Sequence, residues 1–187
     1  MHRVAIFMDG GYVDKIMQNE FGGASIDYEA LSGEIACRVH PQADILRSYY
    51  YHCLPYQSSP STPEEDAAFA KMQSFLDAID RRPRFVVKKG RLARRGPDKD
   101  GKYFFEQKMI DVYLSIDLVH ISLKGRVDHA VIVAGDSDFV PAIEMVRNEG
   151  IVVWLLHGRR LHHDLRAIAD ERIEFTPELV DKVRWSH

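Results

Sequence analysis

Aspartates follow two apolar segments of the sequence, at positions where strands would end. Asp9 comes directly after the segment 3–8 (RVAIFM), and Asp136 and Asp138 follow the segment 130–134 (AVIVA) in AGDSDF. In open α/β sheets, ligands bind beyond the carboxyl ends of the strands, where the strand order reverses. The sequence therefore predicts that two separate strands deliver carboxylates to one edge of a parallel sheet.

A further aspartate, Asp111, lies in KMIDVYLSIDLV, within a predicted helix over 107–123. At about 100° per residue this aspartate shares a helix face with Lys108. Asp117 is six positions later and therefore about 240° round the helix. One face cannot present both carboxylates, and we predict that Asp111 belongs to the site while Asp117 lies elsewhere.

Carboxylates gathered at one place repel one another and lose hydration, so a cation is needed to neutralise them. Hard oxygen ligands favour Mg²⁺ or Mn²⁺. Such an ion activates a bound water and stabilises charge on phosphoryl oxygens, which is the chemistry of phosphodiester cleavage.

Each strand-end aspartate also has a purely structural interpretation. Asp9 precedes Gly10-Gly11 and could be a turn residue. Asp136, Ser137 and Asp138 could cap a helix, because Asp and Ser are favoured at that position. A purely structural interpretation is weakest for Asp111, because it lies in the middle of a predicted helix among mostly apolar residues.

The elements that must position these residues follow from apolar, turn and capping patterns. The predicted strands are 3–8, 43–54, 84–92, 130–134 and 151–156. The first predicted helix begins after Gly10-Gly11 and ends at about Phe21. The other predicted helices lie at about 27–40, 61–80, 107–123, 137–148, 162–169 and 177–185. The segment 94–102 (RRGPDKDGK) is predicted to be a turn-rich basic loop. This alternation predicts an α/β fold with one parallel sheet covered by helices on both faces.

Charge is unevenly distributed along the chain. The segment 81–108 contains eleven Lys or Arg and three acidic residues, a net charge of +8, which leaves −11 for the rest of a chain whose formal charge is −3. Such a basic segment could follow a phosphate backbone, with the aromatic side chains at 103–105 available to stack on bases. Alternatively, it is a solvated strand and hairpin whose aromatics belong to the core. The residues predicted to bind substrate are Lys89, Arg91, Arg94, Arg95, Lys108 and Ser137.

Three segments together resemble a known family. FMDGG after the first strand, KMIDVYLSIDLV on a helix and AGDSDFVPAI after the fourth strand resemble the NYN domain family, a PIN-like nuclease group that includes the bacterial LabA-like proteins. The resemblance runs from about Val4 to Leu156. It implies a PIN-like or flavodoxin-like sheet, a single NYN domain over 1–187 with core motifs in 4–156, and C-terminal helical segments over 157–187.

The resemblance also implies a metal-dependent ribonuclease. It assigns metal-binding and catalytic roles to Asp9, Asp111, Asp136 and Asp138, with Mg²⁺ or Mn²⁺ as cofactor and RNA as substrate. The chain departs from the family at two places. Family members often have Asn or Ser two or three residues after the first Asp, where this chain has Gly11 and Tyr12. The usual small Gly before the helix Asp is replaced by Met109.

The leading functional prediction is an endoribonuclease that hydrolyses RNA phosphodiester bonds at the aspartates. One alternative is an RNA-binding regulator that keeps the fold without turnover, which the Gly11 and Tyr12 departures favour. Another is a haloacid-dehalogenase-type phosphatase, suggested by FMDGG and AGDSDF. That chemistry requires a second Asp two residues after the nucleophile, where this chain has Gly11.

Composition places further bounds on the protein. No apolar run approaches the ~20 residues of a membrane helix, and the N-terminus lacks the features of a secretory signal. Cys37 and Cys53 form no CxxC pair and are typical of reduced thiols, so we expect a cytoplasmic protein with no membrane partner. A homodimer is a possibility suggested by the aromatics at 49–51 and Trp185, which could equally be core.

Overall fold

The computed structural model describes residues 2–97 and 103–185 and contains one seven-stranded sheet in this part of the chain. All neighbouring strands pair in parallel except β3 and β4, which form an antiparallel hairpin. The strand order is β4-β3-β2-β1-β5-β6-β7. The strands are β1 His2–Asp9, β2 Ala43–Leu54, β3 Phe85–Pro97, β4 Tyr103–Lys108, β5 His129–Val133, β6 Val152–His157 and β7 Glu171–Glu174.

Helices cover both faces of this sheet, which confirms the predicted fold class. Their starts match the capping patterns of the sequence: Asp27 caps α2, and Thr62 forms a reciprocal capping box with Glu65 at the start of α3. The helices are α1 Gly10–Glu20, α2 Tyr28–Val39, α3 Pro63–Asp80, α4 Ile110–Ile121, α5 Val140–Asn148, α6 His163–Ile168 and α7 Pro177–Lys182.

Two apolar layers form on opposite faces of the sheet. Along β1, the side chains of Val4, Ile6 and Met8 join the layer that contains residues of α1, α2, α3 and α7. Ala5 and Phe7 join the layer that contains residues of α4, α5 and α6. Burial on both faces explains why the central strands are continuously apolar rather than alternating.

The strand order reverses at β1. From β1 the chain builds outward through β2 and β3 on one side, and later through β5, β6 and β7 on the other. The reversal therefore lies between β1 and β5, and the loops that follow these two strands meet at its carboxyl edge. This is the position where open α/β sheets bind their ligands.

The main departure from the predicted elements is the β3–β4 hairpin. β3 continues to Pro97 through residues expected to be loop, and β4 replaces the first turn of the helix predicted over 107–123. The first five residues of β4 (YFFEQK) are exposed, so the strand lacks the buried apolar run that marks the central strands. Of the predicted loop 94–102, residues 98–102 lie outside the described part.

The hairpin corrects two predicted positions. Lys89 lies near the end of the strand predicted over 84–92, but β3 continues for eight residues beyond it. Lys108 was expected one helical turn before Asp111, but it is the last residue of β4, and α4 begins only at Ile110. Within 157–187, expected to be helical, the short strand β7 separates α6 from α7.

The tyrosines that suggested a dimer surface are part of the core. Tyr49 is 8% exposed and Tyr50 and Tyr51 are fully buried, whereas Trp185 is 40% exposed. The three tyrosines therefore provide no surface for a second copy. Both cysteines are free thiols. Among the described residues, no helix is both long enough and apolar enough to cross a membrane.

Candidate active site at the reversal of strand order

Asp9 and Asp136 lie on the two sides of the strand reversal. Asp9 is the last residue of β1 and caps α1, accepting a hydrogen bond from the backbone N–H of Tyr12 at 3.1 Å. Asp136 follows β5 and caps a 3₁₀ turn over Ser137–Phe139, accepting from the backbone N–H of Asp138 at 3.0 Å. The capping and site interpretations are therefore compatible, because each cap orients a carboxylate at the edge where a ligand would bind.

Asp111 reaches this region from the first turn of α4. Ile110, the first residue of the helix, is 1% exposed and packs on Gly90. A Cβ added at Gly90 would lie 2.7 Å from Ile110 Cδ1. Asp117, farther along the helix, has a different role. It accepts a hydrogen bond from Tyr51 at 2.9 Å and pairs with Lys88 at 3.2 Å.

The aspartates influence one another electrostatically. Burial raises the pKa of Asp9 from its ordinary value of 3.8 to about 6, and the charge of Asp111 adds to this effect. Burial and then the charges of Asp136 and Asp138 raise the pKa of Asp111. The carboxylates at the strand reversal are therefore near enough to repel, and a cation among them would relieve that repulsion.

These carboxylates do not form a closed metal shell. Over 2–97 and 103–185, no three His, Cys, Asp or Glu side chains are arranged around a common ion position. Mg²⁺ commonly keeps several waters and binds through only one or two carboxylates plus substrate phosphate. Asp9 and Asp111 are partly buried, whereas Asp136 and Asp138 are exposed to solvent. Mutually repelling oxygen donors that remain open to water fit a hydrated ion of this type.

Tyr12 connects the aspartates with the next loop of the sheet edge. Its ring packs on Gly135, where a Cβ would lie 2.2 Å from Tyr12 Cε2. Its hydroxyl accepts a hydrogen bond from the backbone N–H of Gly158 at 2.9 Å. Together with the Tyr12 N–H that binds Asp9, these contacts fix the loops after β1, β5 and β6 relative to one another. The sequence presented Tyr12 only as a departure, and its contacts show that it has a positioning role.

Gln107 is a site neighbour that the sequence reasoning missed. A Cβ at Gly11 would lie 2.5 Å from Gln107 Nε2 and 3.4 Å from Asp9 Oδ1, so the β4 amide occupies the space above Gly11 beside that carboxylate. The pairing of β4 with β3 brings Gln107 there. The available signal was Gly11 itself, because a glycine permits close approach of another group.

His52 and Asp14 form a second pair that the sequence did not indicate. His52 Nε2 lies 2.9 Å from Asp14 Oδ2, and His52 Nδ1 lies 2.8 Å from the carbonyl oxygen of Cys53. Burial opposes the charged form, but these two acceptors and the charge of Asp9 together raise the pKa of His52. Because both ring nitrogens face oxygen acceptors, the doubly protonated ring satisfies both contacts. His52 therefore takes up a proton more readily than these burial conditions alone would allow, and it does so beside Asp14.

Most cations of the basic segment are held in ion pairs. Lys89 pairs with Asp77 at 2.7 Å, and Glu106 pairs with Arg95 and with Lys108, the latter at 2.7 Å. Lys108, predicted to share a helix face with Asp111, pairs instead with Glu106. The guanidinium of Arg94 lies over the ring of Tyr103 at 3.6 Å. Arg91 is exposed and forms no ion pair in the described part of the chain.

The hairpin aromatics are on the surface rather than in the core. Tyr103, Phe104 and Phe105 are each about half exposed, at 47%, 53% and 49%. Phe105 packs against Tyr56, with 5.3 Å between ring centroids. Exposed rings beside arginines are suited to stacking on nucleobases.

Met109, the residue between β4 and α4, has a left-handed backbone with φ of 80°. This conformation costs a residue with a Cβ about 1–2 kcal/mol, whereas glycine adopts it readily. We expect Met109→Gly to raise the free energy of unfolding by about 0.5–1 kcal/mol in urea titrations. Met109→Ala is the control, since it removes the same side chain and keeps the strain. Equal free energies of unfolding for the two variants would show that the left-handed backbone at position 109 is not strained.

Comparison with known proteins identifies the family of this chain. A 42-residue stretch, 22% of this chain, is 50% identical to 6-hydroxy-3-succinoylpyridine 3-monooxygenase HspA of Pseudomonas putida (strain DSM 28022 / S16), and covers only 14% of that protein. The NYN domain family model matches residues 3–176, nearly the whole chain. The chain therefore belongs to the NYN domain family, within the PIN-like nuclease superfamily.

Proposed function

We propose that this protein is a metal-dependent endoribonuclease that hydrolyses RNA phosphodiester bonds at Asp9, Asp111, Asp136 and Asp138. The observation that carries the proposal is the position of these carboxylates. Asp9 ends β1, Asp136 and Asp138 follow β5, and Asp111 lies in the first turn of the helix packed beside these strands. Membership of a PIN-like nuclease family supports the same reaction class.

In the proposed mechanism, Asp9, Asp111 and Asp136 would hold Mg²⁺ or Mn²⁺, and Asp138 would orient the attacking water or hold a second ion. When bound, such an ion would activate water and neutralise charge on the phosphoryl oxygens. The backbone N–H of Tyr12 donates to Asp9 and that of Asp138 donates to Asp136, so both carboxylates are oriented before substrate binds. Such preorganisation matters because small displacements of reacting groups reduce rates strongly.

Substrate would be held mainly by the β3–β4 hairpin. Arg91 and Arg94 are exposed, and the hairpin rings can stack on bases. The proposed roles of Lys89, Arg95 and Lys108 require RNA phosphate to compete with their carboxylate partners. Ser137, in the turn capped by Asp136, would donate its hydroxyl to phosphate.

The direct test is cleavage of labelled RNA by the purified protein with Mn²⁺ or Mg²⁺ and with chelator. We expect metal-dependent cleavage that falls at least about 100-fold in Asp136→Asn and in Asp111→Asn, since even residues that merely support metal ligands affect activity by 10–100-fold. Asp117→Asn is the matched control on the same helix and should retain cleavage. Equal cleavage by wild type and both site variants would refute the proposal.

Two further assays, RNA binding without metal and hydrolysis of a phosphate ester, separate the alternatives. An RNA-binding regulator would bind RNA without divalent metal and cleave nothing, and the intact carboxylates argue against it. A phosphatase would hydrolyse a small chromogenic phosphate ester, and Gly11 stands where that chemistry requires an acid. The match to a monooxygenase covers too little of that protein to favour an oxygenase function.

A further inference from the structure

A group of arginines lies beyond the end of β6, outside the predicted basic segment. A cleft of about 620 Å³ is lined there by Arg159, Arg160, Arg166 and Arg172, with Glu174 as a carboxylate in its wall. All four arginines are exposed, and over the described residues none of them is within ion-pair distance of a carboxylate. The cleft is therefore strongly positive.

Neighbouring acidic groups are engaged elsewhere. Asp170 pairs with Arg147 at 2.8 Å, and Asp164 lies against His162 and His163. Arg172 donates to the backbone carbonyl of Arg166 at 3.0 Å, which joins two walls of the cleft without neutralising either charge. The four arginines outnumber Glu174, the carboxylate in the cleft wall, so the cleft attracts anions.

The backbone beneath the cleft is tied to the acidic edge. The N–H of Gly158 donates to the hydroxyl of Tyr12, and the N–H of Arg159 donates to the carboxylate of Glu20 at 3.0 Å. Because Tyr12 also binds Asp9 and packs on Gly135, the arginine loop and the aspartates share one rigid support.

The sheet fixes the spacing between the two places. The aspartates lie at β1 and β5, and the cleft lies at β6 and β7, all at the carboxyl edge. β7 lies two strands from β5 in the sheet, a separation of about 10 Å. The β3–β4 hairpin lies on the other side of the aspartates, so a strand of RNA that contacts both the hairpin and the cleft would cross the acidic edge.

We propose that this arginine cleft, lined by Arg159, Arg160, Arg166 and Arg172, is a phosphate-binding subsite for the RNA strand beside the cleavage position. Guanidinium groups match phosphate oxygens in bidentate geometry, which explains arginine rather than lysine at all four positions. The identification of the ligand as an RNA strand rests on the proposed function. The binding of phosphate by the cleft does not.

The test measures binding of a short labelled RNA by fluorescence anisotropy in chelator, so that no cleavage is required. We expect Arg159→Ala/Arg166→Ala to weaken binding about tenfold for each arginine, and to reduce the slope of log affinity against log salt by about 0.7 for each lost contact. Arg159→Lys/Arg166→Lys should keep the slope and bind more weakly than wild type, since lysine retains the charge but not the bidentate geometry.

The matched control is Arg38→Ala/Arg47→Ala, which removes two exposed arginines from α2 and β2 away from the acidic edge, and should change affinity less than about twofold.

Oligonucleotides with a 5′-phosphate, a 3′-phosphate or hydroxyl ends distinguish a terminal phosphate from a backbone phosphate. Wild-type affinity and slope in Arg159→Ala/Arg166→Ala would overturn the subsite. Displacement of RNA by an equally charged polyglutamate peptide would overturn its assignment to RNA. Arginine-dependent binding without metal-dependent cleavage would support the subsite and refute the nuclease.

Discussion

Asp9→Asn is expected to stabilise the fold in the absence of divalent metal while removing cleavage. Burial raises the pKa of Asp9 to about 6, so at neutral pH the folded chain carries a carboxylate that would be more easily ionised when unfolded. A rise of about two pKa units corresponds to up to about 3 kcal/mol. Asparagine is an equally good helix cap and retains the oxygen that accepts from Tyr12.

The sign of this effect depends on pH in a defined way. Below about pH 4, Asp9 is protonated in both the folded and the unfolded chain, and its burial costs no charge. As pH rises from 3.8 to about 6, the unfolded chain releases this proton first, so wild-type stability falls and the advantage of Asp9→Asn grows. Above about pH 6 the advantage is constant.

Urea titrations in chelator across this pH range measure the effect directly. The control is Asp27→Asn, which changes the equivalent cap of α2, where Asp27 accepts from Glu29 and Ala30. It should change stability by less than about 0.5 kcal/mol. Adding Mn²⁺ should raise the melting temperature of the wild type and leave that of Asp9→Asn unchanged. A pH-independent difference between wild type and Asp9→Asn would show that the buried carboxylate is not destabilising.

The parts of the fold that could be predicted from sequence are those with strong local signals. The central strands are continuously apolar because both faces are covered, and the caps at Asp27 and Thr62 mark their helices clearly. The aspartates were found because parallel strands bring their carboxyl ends to one edge. Each of these signals depends on a few adjacent residues.

The parts that could not be predicted depend on contacts between distant segments. β4 is stabilised by pairing with β3 rather than by burial, so its sequence has no strand periodicity. The ion pairs of the basic segment join β3 to Asp77 on α3 and to Asp117 on α4, and no spacing within the segment shows this. Gln107 reaches Gly11 only because of that hairpin. The arginine cleft likewise combines the loop after β6 with β7.

Gly135→Ala is expected to destabilise the protein and to disturb the site. Its Cβ would lie 2.2 Å from Tyr12 Cε2, and the ring cannot easily move because its hydroxyl binds Gly158. Overpacking of this kind costs about 1–3 kcal/mol. Because Asp136 is the next residue, displacement of the backbone should also lower cleavage, by up to about 100-fold for a shift of 1 Å.

A double-mutant cycle shows whether the Tyr12 contact is the cause. In a Tyr12→Ala background the clash is absent, so adding Gly135→Ala should cost less than about 0.5 kcal/mol, which leaves a coupling energy of about 1 kcal/mol or more. Gly33→Ala is the matched control: it lies inside α2 with nothing within 4 Å of its Cβ, and should stabilise the protein by about 0.5–1 kcal/mol. If Gly135→Ala costs the same in both backgrounds, Tyr12 does not restrain this loop, and the shared support of the aspartates and the arginine cleft must come from other contacts.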